Sequence, residues 1–208
     1  MNDIAASEAA PGSAGCDAIQ NSYFIIQNFL EWYHCSVSNI YLVGFMGAGK
    51  TATGRVVARR TGRSFLDLDD AVEARLESTI REIFENLGEN AFREAETAEL
   101  KKTILRKDLV VATGGGAFSD PDNRRLIEDA KAVSIFLDPP WEAICSRIDE
   151  KDRARPNWID DRKARALFVK RRPDYLLAEI HLELTGTESP MDVADMAGSA
   201  LAEIQCAT

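Results

Sequence analysis

Eight consecutive residues, Gly44-Phe45-Met46-Gly47-Ala48-Gly49-Lys50-Thr51, carry the spacing G-x-x-x-x-G-K-[ST]. Glycines at these positions let a backbone turn tightly, so that successive N–H groups point at phosphate oxygens. A helix starting at Lys50 adds the positive end of its dipole. In such a loop the Lys50 ammonium neutralises the β- and γ-phosphates and the Thr51 hydroxyl holds Mg2+. Gly47, Ala48, Gly49 and Ala52 complete the stretch that surrounds the phosphates. The motif needs a strand before it and a helix after it, and the apolar run Ile40 to Val43 and the helical stretch from Lys50 supply both. A nucleoside triphosphate with Mg2+ is the ligand implied. The acceptor is not, because GTPases, motor ATPases and small-molecule kinases share this loop.

Groups suited to an acceptor occur further along. In Phe65-Leu66-Asp67-Leu68-Asp69-Asp70, strand alternation predicts Asp67 and Asp69 on one face at the carboxyl end of a strand. One carboxylate could reach a metal's water shell and the other could take a proton from a substrate hydroxyl. An aspartate here could instead cap the next helix, a place that suits Asp70. Thr113-Gly114-Gly115-Gly116 offers backbone N–H groups to a small ligand. Arg93 opens a long helix with Glu96 at i+3 to orient it, and arginine is the side chain that clamps a carboxylate through two hydrogen bonds. Arg155 and Arg171 are further candidates, although each arginine taken singly has a solvated surface as its ordinary place.

Apolar runs of strand length position these residues: Ile40 to Val43, Phe65 to Leu68, Leu109 to Ala112, Ala132 to Leu137 and Ile180 to Leu184. Helix candidates begin near Lys50, Asp70, Thr79, Glu89, Pro121, Pro140, Arg162 and Pro190. Five strands alternating with helices predict an α/β fold with a parallel sheet covered on both faces. Residues 149–165, DEKDRARPNWIDDRKAR, are crowded with charges of both signs and suit either a solvated loop or a lid over an anionic ligand.

The 208 residues fit one domain, and 45% apolar with 28% charged residues excludes disordered and fibrous classes. A net charge of −9 disfavours nucleic acid and anionic lipid as partners. Cys16, Cys35, Cys145 and Cys206 lie far apart without a C-x-x-C pair, which predicts reduced thiols. No apolar run reaches 18 residues, and the first basic residue is Lys50, so neither a bilayer span nor a basic targeting leader is expected. Cytoplasm is the expected compartment and a monomer the default state. Residues 1–38 are expected to form an N-terminal extension, with a flexible tail to about 21 and a short helix over Tyr23 to Tyr33; residues 39–208 form the domain.

Taken in order, GFMGAGKT, FLDLDD, IFENLGENAFREAE, TGGGAF, RARP and KRRPDY resemble the shikimate kinase family over about residues 39–188. The resemblance implies a three-layer α/β/α fold of the nucleoside-monophosphate-kinase type, with a five-stranded parallel sheet, a lid and a small substrate-binding subdomain. It implies phosphoryl transfer from ATP to shikimate, a step of aromatic amino acid biosynthesis. It places Asp67 near the Mg2+ water shell and Asp69 on the shikimate hydroxyls as candidate base. It puts the shikimate carboxylate on Arg93 and Arg171, the substrate also against the Gly115 backbone with Gly114 and Gly116 beside it, and Phe84 and Phe92 in the pocket wall. Arg155 corresponds to the lid arginine over ATP. Two stretches depart from the family pattern: Asn157-Trp158 stands where Leu-Leu is usual, and Thr185 to Glu188 lacks the basic or Asn residues often found beside the adenine. A gluconate kinase and a non-catalytic binding module are the alternatives, the second supported only by the altered lid.

Overall fold

The first strand, β1 (Asn39–Val43), is buried at every position. Its side chains alternate between two layers, Ile40 and Leu42 packing into one apolar cluster and Tyr41 and Val43 into another. A strand buried on both faces must have cover on both, and this is a three-layer α/β/α domain. The structure is a computed structural model that describes residues 39–148, 158 and 160–206.

After β1 come α1 (Lys50–Thr61), β2 (Ser64–Asp67), α2 (Leu68–Leu76), α3 (Ile80–Asn86), α4 (Gly88–Ile104) and β3 (Leu109–Ala112). A 3-10 turn at Ala117–Ser119 leads to α5 (Pro121–Asp129), β4 (Val133–Asp138), α6 (Trp141–Arg147), α7 (Asp161–Tyr175), β5 (Ile180–Glu183) and α8 (Pro190–Cys206). All four strand pairings are parallel, in the order β2-β3-β1-β4-β5. β1 lies where that order reverses direction, and open α/β sheets bind ligands in the crevice at the carboxyl end of that point.

Helices α1 and α8 cover one face through Val57, Ala58, Val193, Ala194, Ala197 and Leu201. Leu100 of α4, Ile127 of α5, Ile144 of α6 and Tyr175 of α7 cover the other. A third cluster, Val72, Ile83, Phe92 and Ala95, ties α2, α3 and α4 into a small unit beside the sheet. Asn39, 1% exposed, stitches the amino end of the sheet. Its Nδ2 donates to the Thr103 and Arg106 carbonyls, both at 3.0 Å, and its Oδ1 accepts from the Leu109 N–H at 3.1 Å.

The five strands lie where the sequence places them, and the helices begin within two residues of the expected starts. One local expectation is corrected. β2 stops at Asp67 and Leu68 already belongs to α2, so Asp67 and Asp69 do not share a strand face. The cap of α2 is Asp67 rather than Asp70: its Oδ1 accepts from the Asp69 N–H at 3.1 Å. Satisfying a helix's free N–H groups outweighs strand alternation at this point.

Candidate active site

The loop from Gly44 to Gly49 leaves β1 at its carboxyl end. Gly44 has φ +139, and a Cβ there would stand 2.7 Å from the Leu137 carbonyl oxygen, so the loop closes against β4 only with glycine at this position. Gly49, at φ +95, caps α1 without a side-chain hydrogen bond, leaving the first N–H groups of that helix for a ligand. Lys50, 9% exposed, folds back over the loop and donates from Nζ to the carbonyl oxygens of Gly44 at 2.9 Å and Phe45 at 2.8 Å. Ala52 lies exposed in the first turn of α1.

Thr51 and Asp67 meet directly: the Thr51 hydroxyl donates to Asp67 Oδ2 at 2.7 Å. Because Asp67 also caps α2 with its other oxygen, the phosphate loop, the end of β2 and the start of α2 share one carboxylate.

Beside this loop a cleft is lined by Asp69, Phe84, Phe92, Arg93, Gly115, Gly116 and Arg171, together with Met46, Ile80 and Glu96. Arg93 on α4 donates through Nη1 to Glu96 Oε2 at 2.7 Å and through Nη2 to Glu89 Oε1 at 3.0 Å, with its guanidinium 5.0 Å from the Phe92 ring centre. Phe92 and Phe84 pack with centroids 5.0 Å apart. Burial alone would ease the proton off Arg93, but the charge and hydrogen bond of Glu96 outweigh it and hold the guanidinium cationic.

The triple glycine serves clearance. A Cβ on Gly114 would run into the carboxylates of Glu96 and Asp69, and one on Gly116 into the Arg93 guanidinium. Gly115 has room, its nearest neighbour being the Met46 nitrogen at 3.5 Å. The Gly115 carbonyl accepts from Arg171 Nη1 at 3.1 Å and from the Tyr175 hydroxyl. Next to Arg171 in sequence, Arg172 turns the other way and grips Asp138 at the end of β4, at 2.6 Å from Nη2 to Oδ2. Asp138 also meets His181 Nε2 at 2.9 Å. Neighbouring helix positions point about 100° apart, so these two grips fix the rotation of α7 and aim Arg171 into the cleft.

Of the sequence-predicted residues, all the acceptor-side candidates except Gly114 line the cleft, and Gly114 lies behind it against Asp69 and Glu96. Arg155, Asn157 and most of the 149–165 segment lie outside the described residues, as do residues 1–38. Met46 and Ile80 were not foreseen in the cleft, since nothing separates them from core residues in the sequence. Glu96 was expected to orient Arg93, but its full burial was not legible in a helix charged along its length. It is 1% exposed, and Oε1 has no hydrogen-bond partner among the described residues. Burial pushes its carboxyl up to about 7, with Arg93 pulling the other way and Asp69 adding to the rise. Tyr175 is likewise pushed above its ordinary range by burial. The Thr185 to Glu188 stretch has no basic residue of its own, but α6 supplies one: Arg147 Nη2 donates to the Gly186 carbonyl at 2.9 Å, and its Nη1 would lie 3.9 Å from a Cβ on Gly49.

A glycine-lysine-threonine loop after the central strand of a parallel sheet, beside a cleft walled by arginines and carboxylates, defines a P-loop kinase of a small molecule. The family model described as shikimate kinase matches residues 46–202. The chain belongs to the shikimate kinase family. A shikimate kinase of Prochlorococcus marinus (strain MIT 9211) is 41% identical over 159 residues, covering 75% of this chain and 79% of that protein. One of Persephonella marina is 37% identical over 158 residues, covering 76% and 94%. Among solved structures, the shikimate kinase from Acinetobacter baumannii in complex with shikimate superposes with a TM-score of 0.73 at 37% identity, covering 83% of this chain and 96% of the other. A gluconokinase from Sinorhizobium meliloti 1021, at TM-score 0.56 and 18% identity, shares the fold alone.

Proposed function

We propose that this enzyme transfers the γ-phosphoryl group of ATP to a hydroxyl of shikimate, giving ADP and shikimate 3-phosphate in aromatic amino acid biosynthesis. The observation that carries the reading is the convergence of Arg93, Arg171 and Asp69 on one cleft that shares Met46 with the phosphate loop. A small ring bearing one carboxylate and several hydroxyls matches this set. Arg93 and Arg171 take the carboxylate, Asp69 the hydroxyls, the Gly115 backbone one edge, and Phe84 and Phe92 the apolar face. Gly114 and Gly116 keep the wall thin enough for Asp69 and Arg93 to reach in.

On the nucleotide side, Gly47, Ala48, Gly49 and Ala52 surround the phosphates and Lys50 exchanges its loop carbonyls for phosphate oxygens. The Thr51 hydroxyl is a hard oxygen donor that would hold Mg2+, and the Asp67 carboxylate, hydrogen-bonded to it at 2.7 Å, would meet the ion through its water shell. When bound, that ion neutralises charge between the β- and γ-phosphates. Asp69 accepts the proton of the acceptor hydroxyl as its oxygen bonds to phosphorus and the bond to the leaving ADP oxygen breaks. The resemblance gives Arg155 the part of the family's lid arginine, acting on ATP and the migrating group. The protein works as a cytoplasmic monomer on small molecules, and its −9 charge disfavours nucleic acid and anionic membranes as partners. Among the described residues no helix is long and apolar enough to cross a membrane.

The test is ADP release from Mg·ATP with shikimate, with gluconate and with no acceptor. Shikimate-dependent turnover of about 1 to 100 s−1 is expected. A folded enzyme that turns over gluconate but not shikimate, or neither, overturns the reading.

A further inference from the structure

Glu89, Phe92, Arg93 and Glu96 share one face of α4, spaced i, i+3, i+4 and i+7. Three of them surround the guanidinium of the fourth. The Phe92 ring centre lies 5.0 Å from the guanidinium carbon of Arg93, and a Cβ on Gly116 would strike Nη1, Nη2 and Cζ. Glu96, buried, accepts from Nη1 at 2.7 Å on the inner side. Glu89, with 55% of its side chain exposed, holds the outer side: its Oε1 accepts from Nη2 at 3.0 Å and from Nε at 3.3 Å. A guanidinium carries five N–H groups. Among the described residues three of those on Arg93 are engaged, and the two left are one on each Nη nitrogen.

An ion pair between exposed side chains four apart on a helix adds little to stability. What it fixes here is direction. With Nε and one N–H of Nη2 held by Glu89, Arg93 meets a carboxylate through its two Nη nitrogens, a bidentate contact that orients the ligand as well as binding it.

We propose that Glu89 is a positioning residue for the acceptor: it holds the Nε side of Arg93 so that the two Nη nitrogens are presented to the carboxylate of shikimate. The inference rests on the reading that Arg93 takes that carboxylate. It gives Glu89 an effect opposite in sign to its charge. An anion beside the cleft repels an anionic substrate, so on charge alone its removal would strengthen binding. As a brace, its removal frees the guanidinium to turn and weakens binding, because a loosened side chain must be ordered again when the ligand arrives.

The test uses the full chain with Glu89→Ala and with Glu89→Gln, which keeps a side-chain oxygen able to accept. For Glu89→Ala, KM for shikimate rises about fivefold while kcat and KM for ATP stay within about twofold, and Glu89→Gln recovers most of the affinity. A shikimate KM that is unchanged or lower in Glu89→Ala overturns the proposal, and so does an ATP KM that rises as much. A second measurement needs no substrate. In proton–nitrogen NMR spectra of the arginine side chains, the Arg93 Nε–H, assigned by its absence in Arg93→Lys, exchanges with water more slowly in the wild type than in Glu89→Ala. Equal exchange overturns the proposal. Should the wild type neither bind nor phosphorylate shikimate, the proposed reaction falls, and the Arg93 exchange rate still decides whether Glu89 holds that side chain.

Discussion

Lys50 donates its ammonium to two loop carbonyls, so it braces the phosphate loop from within. Lys50→Ala removes a charge-stabilising donor from a water-poor site, and kcat is expected to fall about 10²-fold or more in a steady-state assay of ADP release. Turnover like the wild type would remove the cradle from the chemistry. Glu96 makes a pH-dependent prediction. Its carboxyl, ordinarily near 4.5, is pushed up to about 7 by burial, so the folded protein holds this proton more tightly than the unfolded chain. Stability from this group is therefore fully present below about 4.5, lost as pH rises towards 7, and flat above; the whole swing is on the order of 3 kcal/mol. The melting temperature of the wild type relative to Glu96→Gln should fall between pH 5 and pH 8, and a constant difference would show that Glu96 ionises normally. Sequence reveals residues such as Lys50 and Arg93 because their types carry the chemistry; the environment of Glu96 depends on which face of α4 meets Gly114, and no spacing encodes that.

Among the elements, α3 begins one residue from the start expected near Thr79, and the cap that sets it is seen only in the structure. Thr79 and Glu82 form a reciprocal cap: Glu82 Oε2 accepts from the Thr79 N–H at 2.8 Å, and the Glu82 N–H donates to Thr79 Oγ1 at 3.3 Å. This helix carries Ile80 and Phe84 to the cleft. Thr79→Ala should cost about 1 kcal/mol. In a thermal melt that is a loss of roughly 2–4 °C for a chain of this size, accompanied by weaker shikimate binding in calorimetry; an unchanged melt would mean that α3 is held by packing alone. β2 shows the opposite case. Phe65 to Asp69 alternates as a strand would, yet the chain turns into α2 after Asp67 because that side chain closes a cap, and periodicity does not register competition between a strand and a cap.

At the scale of the whole molecule, the alternation of strands and helices was legible, and with it a parallel sheet with two covered faces. What alternation does not encode is which strands lie side by side: β1 at the centre follows from how the helices fill both faces. The described core begins at Asn39, whose side chain already joins β1 to the turn before β3. Residues 1–21 are rich in Ala, Ser, Gly and Asn, a composition with little to bury, so deleting them is expected to leave melting temperature and shikimate-dependent activity nearly unchanged, and a large drop in either would assign those residues a structural part. Under selection for growth without aromatic amino acids, the glycine loop becomes a record of pocket geometry. At 114 and 116 the methyl group of alanine would meet the end of a carboxylate or a guanidinium and push it from its place in the cleft, so surviving alleles should keep glycine there more often than at 115.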